Sequence, residues 1–461
     1  MKINIIPFKN IVLPALLILS FASCKKFVEA DLATNLISKE DAFATDASAT
    51  SATLSLYSYF PTIQAIQYQS WLGGLSSDEL QNTTANAELI QYSQNVVATT
   101  NSFYQFIWNY PYQVIRESNL IIDGVNRSTG ISPAVRSQLT GEAKFFRALM
   151  YFNMVNCFGG IPITSDVSEL NNSFTPRATL AENYMLIIAD LRDAQNLLPE
   201  SYTGTASLKV RANKWAATAL LAKVYLYNRD YVNAEAEAGK VISSGTYTMA
   251  TLGNAFITSS PETILQLATL FGASGFTSYR TTSSANNVAP PAYVLNNSFT
   301  RDFELNDNRK TSWVDSTTFN AVKYYRINKY KVQTATAATL GNEYTVLFRL
   351  GELYLIRAEA RAQQNNIAGS QNDLNVIRTR AGLANTPAVT QTGLLAAIAR
   401  ERKLELFGEY GNRWFDLKRT ATADAVLGPI KSTYRSTSQL FPIPAAQILL
   451  NANLTQNPGY N

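Results

Sequence analysis

The sequence predicts a mainly α protein built on tetratricopeptide-like helix pairs, with large irregular loop regions and minor β structure. Three observations carry this. Apolar residues recur at helical spacing in most segments that show any periodicity. Two segments read as helix hairpins, with small alanines where two helices would touch. Four long stretches between them, about 61–100, 160–178, 250–345 and 420–461, are polar yet keep their aromatics, so they read as ordered loops rather than disorder.

Residues 1–23 carry Lys2 and Lys9, then an apolar run over 11–21 broken only by Pro14 and Ser20, then the small Ala22 and Ser23. That layout is a secretory signal. The run is too short for the roughly 20 apolar residues of a membrane span. Cys24 directly behind two small residues resembles a bacterial lipobox. In that resemblance the cut falls before Cys24, which takes the lipid. Two or more acyl chains anchor stably, at about 0.8 kcal/mol per buried CH₂. Residues 24–35 then read as a tether.

The first periodic segment covers 42–59, through Phe43, Leu54 and Leu56. The second covers 102–123, through Phe103, Phe106, Val114 and Ile115, and Pro111 is expected to kink or bound it. "GEAKFFRALMYFNMVNCFGGIPI" is apolar almost all round, the mark of a helix buried on most sides. Gly159, Gly160 and Pro162 stop it. Thr179 with Glu182 forms a capping-box pattern ahead of the stripe Leu180, Tyr184, Ile187, Ile188 and Leu191, which ends at Pro199. The first hairpin has arms at about 212–227 and from Tyr231 to Gly245, turning at Asn228-Arg229-Asp230. The second pairs "LFRLGELYLIRAEARAQQ" with "QNDLNVIRTRAG", started by Ser370 and Asp373 and capped by Gly382. A last helix covers about 393–409. "PETILQLAT" is the candidate strand.

Composition narrows the function. The formal charge of +5 falls by two once Lys2 and Lys9 leave, and charged residues are 16% of the chain. No concentrated basic face points to nucleic acid. With Cys24 lipidated, Cys157 stands alone, so no disulfide closes within the chain, and its apolar setting reads as a buried, inert thiol. The chain has no histidine. That removes Ser-His-Asp and Cys-His nucleophile systems and imidazole zinc sites. No metal and no cofactor is expected. Carboxylate chemistry remains, with Asp78-Glu79 and Glu401, Glu405, Glu409 as the clusters. Glutamates every four residues beside Arg402 and Arg413 read as a solvated or ion-paired face. A glycosidase would need two carboxylates about 5–5.5 Å or 6.5–9.5 Å apart, and this stays a distant alternative to a protein with no catalytic residues.

The phrases "FFRALMYFNMVNCFGGIPI", "KWAATALLAKVYLY", "LFRLGELYLIRAEA", "ERKLELFGEYGNRWFDLKR" and "FPIPAAQILLNANLTQNPGYN", in this order behind a lipobox, resemble the SusD/RagB family of outer-membrane lipoproteins from Bacteroidetes. The match runs from about residue 24 to the C-terminus. One departure is visible: Asn412 stands where the family often has histidine, while Arg413, Trp414, Phe415 and Asp416 match. The resemblance implies a SusD-like helical body and a surface-exposed, lipid-anchored protein of the outer membrane. It implies capture of oligosaccharide or polysaccharide and delivery to a SusC-like TonB-dependent transporter. A non-glycan nutrient such as peptides is the alternative cargo. It divides the chain into a signal (1–23), a tether (24–35), an N-terminal region with tetratricopeptide-like helices (36–250) and a C-terminal region with ligand-binding loops and a further helix pair (251–461).

The 24 Tyr, 22 Phe and 5 Trp suit a glycan ligand. Flat rings cover the C–H face of a sugar, and Asn, Gln, Asp and Arg satisfy its hydroxyl rim. The candidate ligand residues are Trp71, Asp78, Tyr92, Tyr293 and Trp313, all in the loop-rich stretches. Trp108, Trp215 and Trp414 lie in helical patterns and read as core.

Overall fold

The computed structural model describes residues 38–58, 60–204, 208–268, 290–332 and 341–460. Cys24, and with it the lipidation expectation, lies outside the described residues.

Helices dominate, as predicted. The N-terminal region holds α1 (Asp46–Ser58), α2 (Phe60–Ser76), α3 (Ala87–Gln94), α4 (Tyr110–Arg127), α5 (Pro133–Phe158) and α6 (Leu180–Leu197). The long α5 packs against α4 and α6 and is buried along most of its length, as its all-round apolar sequence requires. Gly159, at φ 74°, ends it in a conformation other residues rarely adopt. Thr179 and Glu182 close the capping box at the start of α6.

The first hairpin is α7 (Lys214–Tyr227) and α8 (Tyr231–Ser243), with Arg229 left-handed at the turn. The second is α10 (Leu350–Gln363) and α11 (Ile367–Arg380). The start of α11 differs from expectation. Asn366 caps it by accepting from the Gly369 amide, and Ser370 instead donates to the Ala358 carbonyl of the partner arm. α12 (Gln391–Leu406) and α13 (Asn412–Arg419) follow.

The stretch 61–100 corrects the loop expectation. It contains α2 and α3 and a short strand. The second half of α2 shows no polar face in sequence because it has none in space: residues 71–76 are all buried. Pro111 bounds rather than kinks its helix. It sits in the first turn of α4, where its missing N–H costs nothing, and a π-helical turn over Gln105–Asn109 precedes it.

Among the described residues the minor β structure is two small antiparallel sheets. One has the order β1 (Leu80–Asn82), β3 (Tyr293–Leu295), β5 (Val322–Ile327), β4 (Val314–Phe319), with Leu80 opposite Leu295. The β4–β5 hairpin turns at Asn320 and Ala321, both at positive φ, as a two-residue turn of matching twist requires. The short helix α9 (Asn308–Trp313) leads into it. The other sheet pairs β2 (Thr263–Leu267), inside the predicted strand, with β6 (Thr345–Arg349), which runs straight into α10. One large core draws residues from both sides of position 250, and a smaller cluster joins α10, α11 and α12.

Candidate ligand-binding site

The densest aromatic run in the chain is Phe103, Tyr104, Phe106, Trp108, Tyr110 and Tyr112. The π-helical turn lies in the middle of it, and such turns often mark functional sites. Phe103, Phe106 and Tyr110 project to one side and remain half-exposed. There they meet Tyr68 and Trp71 of α2, one turn apart. Tyr68 lies flat on Phe106, with centroids 3.6 Å apart and planes 9° off parallel. It meets Trp71 edge-on at 4.7 Å. Trp71 in turn stacks on Tyr293 of β3 at 5.2 Å and 19°. Phe106 touches Tyr110 edge-on at 5.5 Å, and Phe103 closes the group at 5.9 Å from Phe106.

The result is a continuous aromatic wall, Tyr293–Trp71–Tyr68–Phe106–Tyr110. Its rear is rigid, since Trp71 and Tyr293 are only 7% and 8% exposed. Its front, at Tyr68, Phe103, Phe106 and Tyr110, is open to solvent in part. Amides border it. Gln64 lies one turn from Tyr68 and donates to Gln67 at 3.4 Å, and Asn109 donates to Gln105 at 3.0 Å beside Phe106. The Trp71 indole N–H has no partner among the described residues. Half-exposed aromatic rings bordered by amide donors and acceptors can cover an apolar ring face and bind its polar edge.

The structure thus brings two of the five expected ligand residues together, Trp71 and Tyr293, and places the other three elsewhere. Tyr92 is a helical residue of α3, fully buried and packed edge-on against Phe441 at 5.3 Å. Trp313 is 1% exposed and donates its indole N–H to the Leu252 carbonyl at 2.9 Å. Asp78 spends both carboxylate oxygens on ion pairs, with Arg413 at 2.7 Å and Lys403 at 2.7 Å. Burial raises the Asp78 carboxyl, but those two cations more than offset it and hold it well below the usual range. Their polar surroundings in the sequence do not reveal the neighbours that bury them: Phe441 beside Tyr92, Leu252 and Phe256 beside Trp313, and Lys403 and Arg413 beside Asp78.

Sequence reasoning did not single out Tyr68, Phe103, Phe106 and Tyr110 of this candidate site. The signal was the aromatic density of 103–112, which helical periodicity absorbed as core. Trp108 and Trp414 are core as expected, and Trp215 is half-buried. Cys157 is buried, and burial pushes its thiol up to about 11.

The carboxylate cluster is buried rather than solvated. Arg349 pairs with Glu262 at 3.0 Å, with Glu409 at 2.9 Å and with Glu405. Arg309 pairs with Asp307 at 2.7 Å and Glu401 at 2.5 Å, and Lys329 with Glu409 at 2.5 Å. Burial raises Glu405, but Arg380, Arg349 and Arg309 overcome it and keep the carboxylate charged. Every carboxylate of this helical row is tied to an arginine or a lysine.

Comparison with known proteins agrees with this architecture. Residues 52–226 match a family model described as "Starch-binding associating with outer membrane", and residues 280–460 match the SusD family model. SusD-like protein P25 of Formosa agariphila is 24% identical over 536 aligned positions, covering 98% of this chain and 99% of the relative. A SusD superfamily crystal structure from Bacteroides vulgatus superposes with a TM-score of 0.79 at 19% identity, over 91% of this chain and 100% of that one. A laminarin-binding SusD-like protein superposes at 0.74 and 23% identity, over 90% and 100%. With both halves matched, the same mainly helical fold and the family's order of motifs, the chain belongs to the SusD/RagB family.

Proposed function

We propose that the protein is a non-catalytic glycan receptor and that the aromatic wall is its binding surface. The carrying observation is the ladder in which Tyr68 stacks on Phe106 and Trp71 on Tyr293. Tyr68, Phe106 and Tyr110 cover sugar rings, Trp71 and Tyr293 back them, and the bordering amides meet hydroxyls. Asp78 supports the site indirectly, by holding the end of α2 to Lys403 and Arg413. Tyr92 and Trp313 support the packing behind it. Names of relatives favour this ligand class: one family model is described as starch-binding, and one structural neighbour as laminarin-binding.

In the same reading, Cys24 carries the lipid that holds the protein at the outer membrane, and captured glycan passes to a SusC-like TonB-dependent transporter. No helix among the described residues is long and apolar enough to cross a membrane.

The test is calorimetric titration with starch and laminarin oligosaccharides, alongside a reducing-end assay. At least one glycan should bind without new reducing ends appearing. Tyr68→Ala and Phe106→Ala should each weaken binding about tenfold, equal to about 1.4 kcal/mol, with the melting temperature little changed. Unaltered affinity in both variants would remove the wall from the site. Release of new reducing ends would remove the non-catalytic reading. Transfer is tested separately by co-purification of a barrel transporter from outer membranes, and anchoring by loss of membrane retention in Cys24→Ser.

A further inference from the structure

A cavity of about 430 Å³ opens between the turn of the first hairpin and helices α10, α12 and α13. Four arginines line it, Arg229, Arg402, Arg413 and Arg419, against only two carboxylates, Glu359 and Asp416. Arg402 is 1% exposed. Its Nε and Nη2 donate to Asp416 at 2.9 and 3.1 Å, but its Nη1 has no hydrogen-bond partner among the described residues. A buried guanidinium N–H left unsatisfied is costly, and a bound acceptor would remove that cost.

The neighbouring charges do not supply one. Asp416 is shared between Arg402 and Arg419, and Glu359 accepts from Nη1 and Nη2 of Arg419, at 2.5 and 2.8 Å. Arg413 turns its own head to Asp78. Arg229, exposed and left-handed at the hairpin turn, makes no ion pair with a described carboxylate, and its Nη2 reaches only the Arg419 carbonyl at 3.3 Å. The cavity therefore holds an unsatisfied guanidinium N–H at its floor, where arginines and carboxylates balance, and the unpaired charge of Arg229 at its rim.

Its other walls are of a different character. Tyr231, Leu226 and Leu395 supply apolar surface, and Gln363, Thr420 and Thr422 supply amide and hydroxyl groups. From this juxtaposition we infer a binding site for a small sugar acid. Its carboxylate accepts from Arg402 Nη1 with Arg229 closing over it, its ring lies on the apolar wall, and its hydroxyls meet the polar rim. A planar carboxylate suits a guanidinium fork, which is why arginine recognises it so often. The site shares no lining residue with the aromatic wall and does not depend on the function proposed for that wall.

The experiment is calorimetric titration of the whole chain with glucuronate and galacturonate, beside glucose, galactose and inorganic phosphate. Both or either uronate should bind, with the neutral hexoses at least tenfold weaker. Arg402→Lys keeps the charge but loses the fork and should weaken uronate binding at least tenfold. Ala399→Trp, a substitution at an exposed rim position, should block entry without touching the buried ion pairs. Phe106→Ala, in the aromatic wall, should leave uronate affinity unchanged. The inference is overturned if uronates bind no better than the neutral hexoses, if phosphate binds while both uronates fail, or if Ala399→Trp folds and binds uronate as tightly as the parent chain.

Discussion

At the scale of single residues, two adjacent acids show how environment decides role. Asp78 and Glu79 differ by one methylene, yet Asp78 is charged and doubly paired, while Glu79 is buried and makes no ion pair among the described residues. Gly408 donates its N–H to Glu79 at 3.0 Å. Burial dominates, and the carboxyl is pushed up to about 7. The linkage follows from the sign. A carboxyl raised above its unfolded value of about 4.5 destabilises the fold progressively as pH rises from there to about 7. Glu79→Gln should therefore stabilise the protein at pH 8, by a few kcal/mol at most, and the gain should vanish below about pH 4.5. Denaturant melts at the two pH values check this. Asp416 behaves oppositely. Burial raises it, but Arg402 and Arg419 overcome that and bring it to about 2. Its contribution is complete above about pH 4 and is lost as pH falls toward 2. Arg413→Ala would leave Asp78 with Lys403 alone and should cost about 3 kcal/mol, read as a lowered midpoint of urea unfolding.

At the scale of elements, the helices hold where caps and close approaches are in place. Thr179→Ala removes the cap that accepts from the Glu182 amide and should cost about 1 kcal/mol. Gly73 in α2 is more demanding. A Cβ there would lie 2.7 Å from the Cα of Gly411, a backbone atom that cannot swing away. Gly411 is itself left-handed, at φ 66°, and caps α13. Gly73→Ala should separate α2 from α13. Because α2 carries Tyr68 and Trp71, glycan affinity should fall together with thermal stability. A loss of one without the other would break the proposed link between this contact and the wall.

At the scale of the whole molecule, the two regions on either side of residue 250 share one core and one sheet. Strand β1 pairs with β3, Asp78 reaches Lys403 and Arg413, and Ser70 Oγ accepts from the Tyr410 amide at 2.8 Å. A fragment ending at residue 250 would expose the β1 edge and leave the Asp78 carboxylate without its cations. It should show no cooperative unfolding transition, which circular dichroism on heating would test. The same interlock makes the aromatic wall a joint product, since Tyr68 and Phe106 come from one region and Tyr293 from the other.

Much of this was legible in the sequence because it is local. Helical periodicity, the Thr179–Glu182 box, the alanine-rich hairpins and the stop at Gly159 are short-range signals, set by which backbone groups must be capped and which faces must be apolar. Absence of histidine likewise bounded the chemistry without any coordinates. The site itself was not local. Aromatic density over 103–112 looks the same whether a ring faces the core or solvent, and only packing of α2 against the π-helical turn left Tyr68, Phe106 and Tyr110 half-open. Asp78 looks like a free acceptor until Lys403 and Arg413 arrive from more than three hundred residues away. Sequence spacing determines faces and caps; burial and long-range pairing of charge are decided only when the chain has folded, because both depend on neighbours that the sequence does not place side by side.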